Sequence, residues 1–342
     1  MLTWPHRQTD WAKQLEAVDA VYLAISRQVT RFQQLLIVCN SADHQQVISR
    51  KLAGAGVAVN RLYFVIAPSN DSWARDHAPL TCLGAQGARL LDFQFNGWGG
   101  KYPSDLDNQI NQRLFQSGVF VESEQRSVPL VLEGGAVESD GQGTLLATRS
   151  SVLSQSRNPN LSAEQMESIL SEQLGFDRFL WLDHGRLSGD DTDGHIDTLA
   201  RFANPGTILY ATATPDDPDY PELVAMAAEL ERFRQRDGTP YRLVPLPAIP
   251  PIHAESGDRM PAGYANFLII NGAVLLPVYN IPQDALAVEC LQHSFPGREI
   301  IPINCLPLIR QNGSLHCITM QFPEQVVFSP PGSAAHSLPA HA

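Results

Sequence analysis

"YANFLIINGAVLLPVY", Tyr264 to Tyr279, is an apolar run that enters a short polar loop at Asn271-Gly272 and leaves as a second apolar run. Asn266 to Ile270 and Ala273 to Val278 are short and β-rich, so they read as two strands joined by a turn. The helical stretch Gln283 to His293 comes next, then the β-rich run Ile300 to Ile303. A strand pair followed by a helix and a further strand is the alternation of an α/β fold.

The outline recurs along the chain. "VPLVLEGGAVESDGQGTLLAT" (128–148), "FLWLDHG" continuing to "GHIDTLARF" (179–202) and "IPINCLPLIRQNGSLHCITMQF" (301–322) each pass from apolar run to polar loop and back. Upstream, Trp11, Leu15, Val18, Tyr22 and Ile25 recur at three- and four-residue spacing as on an amphipathic helix, and Leu35 to Cys39 reads as a buried strand. Further β-rich runs lie at Arg61 to Ala67, Arg89 to Phe95, Thr144 to Thr148, Phe179 to Leu182 and Thr207 to Ala211, with helical stretches at Ser162 to Leu174 and Tyr220 to Arg236. The residues match too poorly for a sequence repeat. The shared outline predicts four or five related β-rich units around an axis, their polar loops meeting at the centre. Residues 1–323 are expected to form one domain, and 324–342, rich in Pro, Ala, Ser and Gly without periodicity, a flexible tail.

Composition limits the partners. The 342 residues, 44% apolar, can bury a substantial core. Twenty-four basic against 36 acidic residues give a formal charge of -12, which repels nucleic acid and anionic lipid and draws small cations toward an acidic cleft. "MLTWPHRQTDWA" lacks the basic and apolar regions of a secretory signal, and no segment has the roughly 20 apolar residues of a membrane helix, so a cytoplasmic location is expected. Cys39, Cys82, Cys290, Cys305 and Cys317 are an odd, scattered set without a CxxC pair, which leaves at least one free thiol.

Four constellations carry chemistry. In "SGDDTDGHIDTLARF" (188–202), Asp190, Asp191 or Thr192 can cap a helix starting near Asp193, whereas His195 and Asp197 share one face if the segment is extended. In "DSWARDHAPL" (71–80), Arg75-Asp76 reads equally as a surface salt bridge or as part of a site. Glu133 ends a buried strand, where a carboxylate needs a partner. The glycines after it permit positive φ or close approach of another group, and Asp140-Gly141 with Gly143 reads as a hairpin turn. Cys317, in "NGSLHCITMQF", is the one cysteine whose near upstream neighbours include Asn, Gly, Ser and His, and it is the candidate nucleophile beside an apolar strand.

"SWARDHAP", "FNGWGGKYP", "LEGGAVESDGQGTLLAT", "GDDTDGHIDTLARF", "YANFLIINGAVLLP" and "LHCITMQFP" together resemble, in order and spacing over about residues 70–323, the agmatine deiminases of the bacterial-type peptidylarginine deiminase superfamily. The resemblance implies a five-bladed α/β propeller, the pentein fold of guanidine-modifying enzymes, with pseudo-fivefold ββαβ units around a central cleft. It implies a catalytic set of Asp76, Glu133, His195, Asp197 and Cys317, with Trp73 and Trp98 near a cationic guanidine substrate, agmatine. It implies no metal or organic cofactor, and a homodimer. Ala78, Ala136 and "QNGSLHC" depart from the usual pattern around those positions. Chemically the set fits, because two carboxylates can grip a planar guanidinium by charge-assisted hydrogen bonds while a cysteine attacks its central carbon and a histidine protonates the departing amine. Glu133 is then expected to hydrogen-bond His195, and either the imidazolium or the guanidinium to supply the positive charge that a thiolate needs. Asp190 or Asp191 is the candidate for a distal ammonium. Deimination of arginine or peptidylarginine stays open as the alternative, although a carboxylate-bearing substrate calls for an arginine clamp that "FNGWGGKYP" does not offer, which favours the amine.

Other readings use the residues less completely. A metal site built from His184, Asp190, Asp191, His195 and Asp197 would leave Cys317 idle. A papain-like amidase would not need two aspartates facing the substrate, and a non-enzymatic binding module would need neither the cysteine nor both carboxylates.

Overall fold

The computed structural model describes residues 1–330. Leu35–Cys39 is buried at every position, as a strand covered on both faces is. It forms the middle of a sheet in which Leu2–Thr3 and Leu62–Ile66 both run parallel to it. Parallel pairing demands a crossover, and the helix Ala42–Gly54 supplies it.

Among the described residues there are four further three-stranded sheets, and these share one order. Each begins as an antiparallel pair: Leu80–Gly84 with Gly87–Gln94, Glu138–Ser139 with Thr144–Thr148, Ala200–Asn204 with Thr207–Tyr210, and Leu268–Ile270 with Ala273–Val278. A helix then returns the chain to a parallel third strand. The helices are Ile110–Ser117, Ala163–Leu174, Tyr220–Leu230 and Gln283–Ser294. The third strands are Glu124–Val131, Arg178–Leu182, Arg242–Pro245 and Glu299–Asn304. The α/β class and the recurring unit expected from the outline are both present. The first sheet differs from the ββαβ pattern, because its outer strand runs parallel and meets the far end of the chain through an antiparallel bridge between Leu2 and Thr319.

Local chemistry accounts for the element ends. Ser162 and Gln165 form a reciprocal capping box at the start of Ala163–Leu174, and Gly175, at φ 76°, ends it in the left-handed region that glycine enters without strain. The helix expected to reach Arg236 stops at Leu230, because Arg234 and Pro240 pair across a turn at Asp237-Gly238. The first long helix covers Leu15–Phe32, with Trp11 in a preceding 3-10 turn, and it buries Val18, Val21, Tyr22, Ile25 and Val29 on the side that meets the Leu35–Cys39 and Glu299–Asn304 strands. Within the expected tail, Val327–Phe328 pairs with Phe120–Val121 as a strand; 331–342 of that expected tail lie outside the described residues. No helix among the described residues is long and apolar enough to cross a membrane.

The third strand of each sheet hands the chain onward through a connecting segment. Segments 67–79, 132–137, 183–199, 246–267 and 305–326 are these connections, and they carry Asp76, Glu133, His195 with Asp197, Asn266 and Cys317 respectively.

Candidate active site

A cleft of about 230 Å³ is lined by Asp71, Trp73, Asp76, Trp98, Asp191 and Cys317, among other residues. It is smaller than the pockets of roughly 300–1,000 Å³ that enclose drug-sized ligands. Asp10 and Arg310 also line it, so four carboxylates face one guanidinium and the cleft favours a cation.

Asp76 sits in the one-turn helix Ala74–His77, buried. Its Oδ1 accepts a hydrogen bond from the Gly135 N–H at 3.0 Å, and its Oδ2 one from the Trp98 indole N–H at 2.9 Å. Trp98 reaches that position through a left-handed backbone (φ 55°, ψ 48°) between Gly97 and Gly99, a conformation costing a non-glycine residue roughly 1–2 kcal/mol. Trp73 meets Trp98 edge to face at 6.5 Å. A Cβ on Gly313 would fall 2.1 Å from the Trp73 ring, so the Asn312-Gly313 step lets the chain leading to the cysteine pass beneath the indole.

His195 lies between two acids. Its Nδ1 is 3.7 Å from Asp76 Oδ1 and its Nε2 3.8 Å from Glu133 Oε2. Burial opposes a charge on the ring, but Asp76, Glu133 and Asp197 outweigh it and hold the pKa up at about 9. The expected hydrogen bond between Glu133 and His195 is not formed: 3.8 Å is ion-pair range, and His195 Nε2 has no hydrogen-bond partner among the described residues. Glu133 instead accepts with both oxygens from Arg157 Nε at 2.8 Å. Despite its burial, His195 and Arg157 keep the Glu133 carboxyl below the ordinary range. Arg157 also donates to Asp193 Oδ2 at 2.7 Å and to the Thr192 carbonyl at 2.9 Å. It thereby ties the Glu133 segment to the loop leading into His195.

The segment after His195 is not extended as expected: Ile196–Thr198 forms a 3-10 turn, and the strand starts at Ala200. His195 and Asp197 still converge, around Gly135. A Cβ there would lie 2.6 Å from His195 Nδ1, 2.8 Å from Asp76 Oδ1 and 3.2 Å from Asp197 Oδ2, so close approach, not positive φ, is what this glycine provides. Burial pushes Asp197 up to about 7, against the pull of His195, Arg201 and Arg75.

Cys317 lies in a turn rather than beside a strand, and among the described residues it is the one cysteine lining the cleft. It is enclosed, at 8% exposure, although a reactive thiol ordinarily needs partial exposure. Asn266 Oδ1 accepts from the Cys317 N–H and lies 3.4 Å from Sγ. Burial, then Asp197 and Asp76, raise the thiol well above its ordinary pKa. These influences favour the thiol over the thiolate at Cys317.

Asp191 and Asp190 separate. Asp191 faces the cleft, where its Oδ2 accepts from the Tyr102 hydroxyl at 2.8 Å and from Asn312 Nδ2 at 3.0 Å. Asp190 is turned into its own loop, accepting from the Thr192 hydroxyl at 2.5 Å and the Gly194 N–H at 2.7 Å; it shapes the loop and does not line the cleft. Nor does it cap a helix: the residue preceding the 3-10 turn is His195, whose side chain makes no cap. His184, a member of the candidate metal set, pairs with Glu229 on an exposed surface.

The family profile of the Porphyromonas-type peptidyl-arginine deiminases matches residues 1–323. The chain belongs to this family. It is 31% identical to the agmatine deiminase of Pseudomonas fluorescens, over 94% of this chain and 92% of the relative. Among solved structures, a Porphyromonas gingivalis protein described as a candidate arginine deiminase superposes with a TM-score of 0.88 at 46% identity, covering 95% of each chain. A cysteine-to-serine variant of C. jejuni agmatine deiminase with substrate bound superposes with a TM-score of 0.84 at 33% identity, covering 93% of this chain and 91% of that one.

Three residues of this deiminase site escaped the sequence reading. Asn266, where a strand was expected to open, lies in the connection two residues before the Leu268–Ile270 strand, and Arg157 lies in "SQSRNPN", with nothing local to mark either. His316 was visible beside Cys317 as a neighbour, yet its partner, Asp197, is 119 residues away in sequence.

Proposed function

We propose that this chain is an agmatine deiminase, hydrolysing the guanidinium of agmatine to N-carbamoylputrescine and ammonia. The observation that carries this reading is the gathering of Asp76, Asp197 and His195 about Gly135, with Glu133 3.8 Å from His195, beside a cleft into which Cys317 opens. That grouping suits a flat cation gripped by two carboxylates, with a nucleophile and an acid at hand. The likeness to agmatine deiminases in sequence and structure points to the same substrate.

In this mechanism the guanidinium binds Asp76 and Asp197, and its charge reverses the field that holds Cys317 as a thiol. The Cys317 proton passes to solvent as the cation binds, and the thiolate attacks the central carbon, giving a tetrahedral adduct. His195, protonated at neutral pH by its acid neighbours, gives its proton to the departing amine, and ammonia leaves an S-alkylthiouronium on the enzyme. The neutral imidazole then takes a proton from water, which attacks the same carbon. Collapse of the second adduct breaks the C–S bond, its hydroxyl proton passes to the leaving sulfur to restore the Cys317 thiol, and a urea is left in place of the guanidine. Arg157 has no direct part in these steps; it keeps Glu133 charged and in place.

The distal ammonium is assigned to Asp191, with the Trp73 and Trp98 rings flanking the methylene chain. The five three-stranded sheets are read as blades of a five-bladed α/β propeller, with the connections between blades converging on one cleft. Release of ammonia and formation of a ureido product from agmatine, arginine and a blocked arginine peptide tests the assignment. Turnover of agmatine above the other two is the expected result, and no turnover of agmatine by the parent enzyme, or equal turnover by Cys317→Ser, sinks it.

A further inference from the structure

The Asp197 carboxylate is held by one side only. Its Oδ2 lies 2.7 Å from Nδ1 of His316, whereas its Oδ1 is buried with no hydrogen-bond partner among the described residues. His316 is itself fixed through its main chain. The His316 N–H donates to Asn266 Oδ1 at 2.8 Å, and its carbonyl accepts from Arg75 Nε at 3.4 Å. The wall that presents Asp76 and Cys317 to the cleft presents their sequence neighbours Arg75 and His316 to a second cavity of about 670 Å³. His316 thus packs behind the substrate carboxylate, in contact with neither the cleft nor the reacting atoms.

We propose that His316 is a positioning residue for the deimination reaction: as the neutral Nδ1–H tautomer it donates to Asp197 Oδ2 and turns the free Oδ1 toward the incoming guanidinium. This rests on the deiminase reading above.

The argument is one of donor and acceptor. An ionised carboxylate only accepts, so a ring nitrogen at 2.7 Å from it carries the proton. Burial and the two nearby guanidiniums, Arg201 and Arg75, hold the ring far below its ordinary pKa, so the donor is uncharged. An uncharged donor has an advantage here. An imidazolium would cancel the charge that Asp197 offers to the substrate, whereas a neutral N–H fixes one oxygen and leaves the negative charge for the guanidinium. Without that donor the carboxylate is free to rotate, and it presents the substrate with a weaker and less directed acceptor. The opposite arrangement, a protonated Asp197 donating to a bare Nδ1, would set a neutral acid against a cationic substrate.

Two substitutions separate positioning from packing. In His316→Asn the amide nitrogen stands where Nδ1 stood; in His316→Gln it stands nearer the place of Nε2. A role in packing favours glutamine, which is closer to histidine in volume. A role in donating to Asp197 favours asparagine. The expected result is that His316→Asn retains the greater share of kcat/KM on agmatine, while His316→Gln loses about 10- to 150-fold, the value of a hydrogen bond to a charged group, at an unchanged melting temperature. Equal losses, or a better glutamine variant, overturn the proposal. Should the variants not fold, 15N-histidine NMR of the parent enzyme without substrate, at a pH above the value of about 7 at which Asp197 titrates, decides it. The Nδ1–H tautomer is expected for His316, and an Nε2–H tautomer or a doubly protonated ring overturns the assignment. This readout needs no turnover, so it stands apart from the failure of the deiminase reading, which an inactive parent enzyme would show.

Discussion

Nε of Arg157 lies 2.8 Å from both carboxylate oxygens of Glu133, with both side chains sealed from solvent. The guanidinium is completed by Asp193 Oδ2 and the Thr192 carbonyl, so one side chain joins two of the connecting segments that build the site. A buried pair of this kind is costly to break from one side, because the remaining charge is left without either water or a partner. Glu133 can face His195 at 3.8 Å as an anion because Arg157 satisfies it from behind.

Arg157→Met leaves Glu133 buried and unpaired, and it is expected to destabilise the fold by about 3–5 kcal/mol. Adding Glu133→Gln should recover part of that loss, since the double variant no longer buries a lone charge. Urea melts of the parent, both single variants and the double variant measure the coupling. Additive losses would mean that the pair is not the unit described here.

Gly135→Ala should abolish activity out of proportion to stability. Its Cβ would enter within 2.6 Å of His195 Nδ1 and 2.8 Å of Asp76 Oδ1, where both groups are buried and cannot step aside cheaply. A displacement on the order of 1 Å in a catalytic group costs about 100-fold in rate, so kcat/KM on agmatine should fall by at least that factor. Circular dichroism and thermal melts check that the variant is folded.

Much of this architecture could be read from residue patterns alone, and for a physical reason. Strands such as Leu35–Cys39 and Ala273–Val278 are buried runs with local punctuation, so their limits in the sequence match those in the structure. The helix expected to reach Arg236 ended early because a tertiary turn, invisible to periodicity, competed with it. The five catalytic candidates were legible through motif resemblance together with the needs of guanidine chemistry. Their partners were not. Arg157, Asn266 and the His316–Asp197 contact depend on segments brought together from different sheets, and no local spacing encodes such a meeting. Asp190 shows the reverse: an acid in an acidic run looks available until its loop consumes both oxygens.

The pH profile of kcat/KM should peak on the alkaline side of neutrality. Asp197, held near 7, must lose its proton to grip the cation, so the rate climbs as pH rises through 7, and the Cys317 thiol, held well above its ordinary value, carries the climb to the alkaline side. His195 must keep its proton to release the amine, so the rate falls again as pH passes about 9. These groups face one another, and the two limbs belong to the coupled set rather than to single residues. Glu133→Gln removes one of the anions that raise His195, and it should move the alkaline limb downward while moving the acidic limb less. Initial rates between pH 6 and about 10 test this, and an alkaline limb unmoved in that variant would separate Glu133 from the proton on His195.

Asp191 and Asp190 stand side by side in sequence and should behave differently on substitution. Asp191 opens on the cleft, and its Oδ2 is held in place by Tyr102 and Asn312, both of which donate neutral hydrogen bonds and leave its charge uncancelled. An ammonium at the far end of the substrate would find there a carboxylate already oriented. Asp191→Asn should therefore raise KM for agmatine by about 10- to 150-fold, the range for one charge-assisted hydrogen bond, with a smaller change in kcat. For butylguanidine, which keeps the reacting group and lacks the ammonium, the same substitution should leave KM nearly unchanged. Asp190→Asn should spare KM for both compounds and lower thermal stability instead, because its carboxylate braces the Thr192 and Gly194 N–H groups of its own loop. Equal effects of Asp191→Asn on the two guanidines would assign that carboxylate to loop structure and leave the distal ammonium to Asp71 or Asp10, which line the cleft together with the guanidinium-binding Asp76.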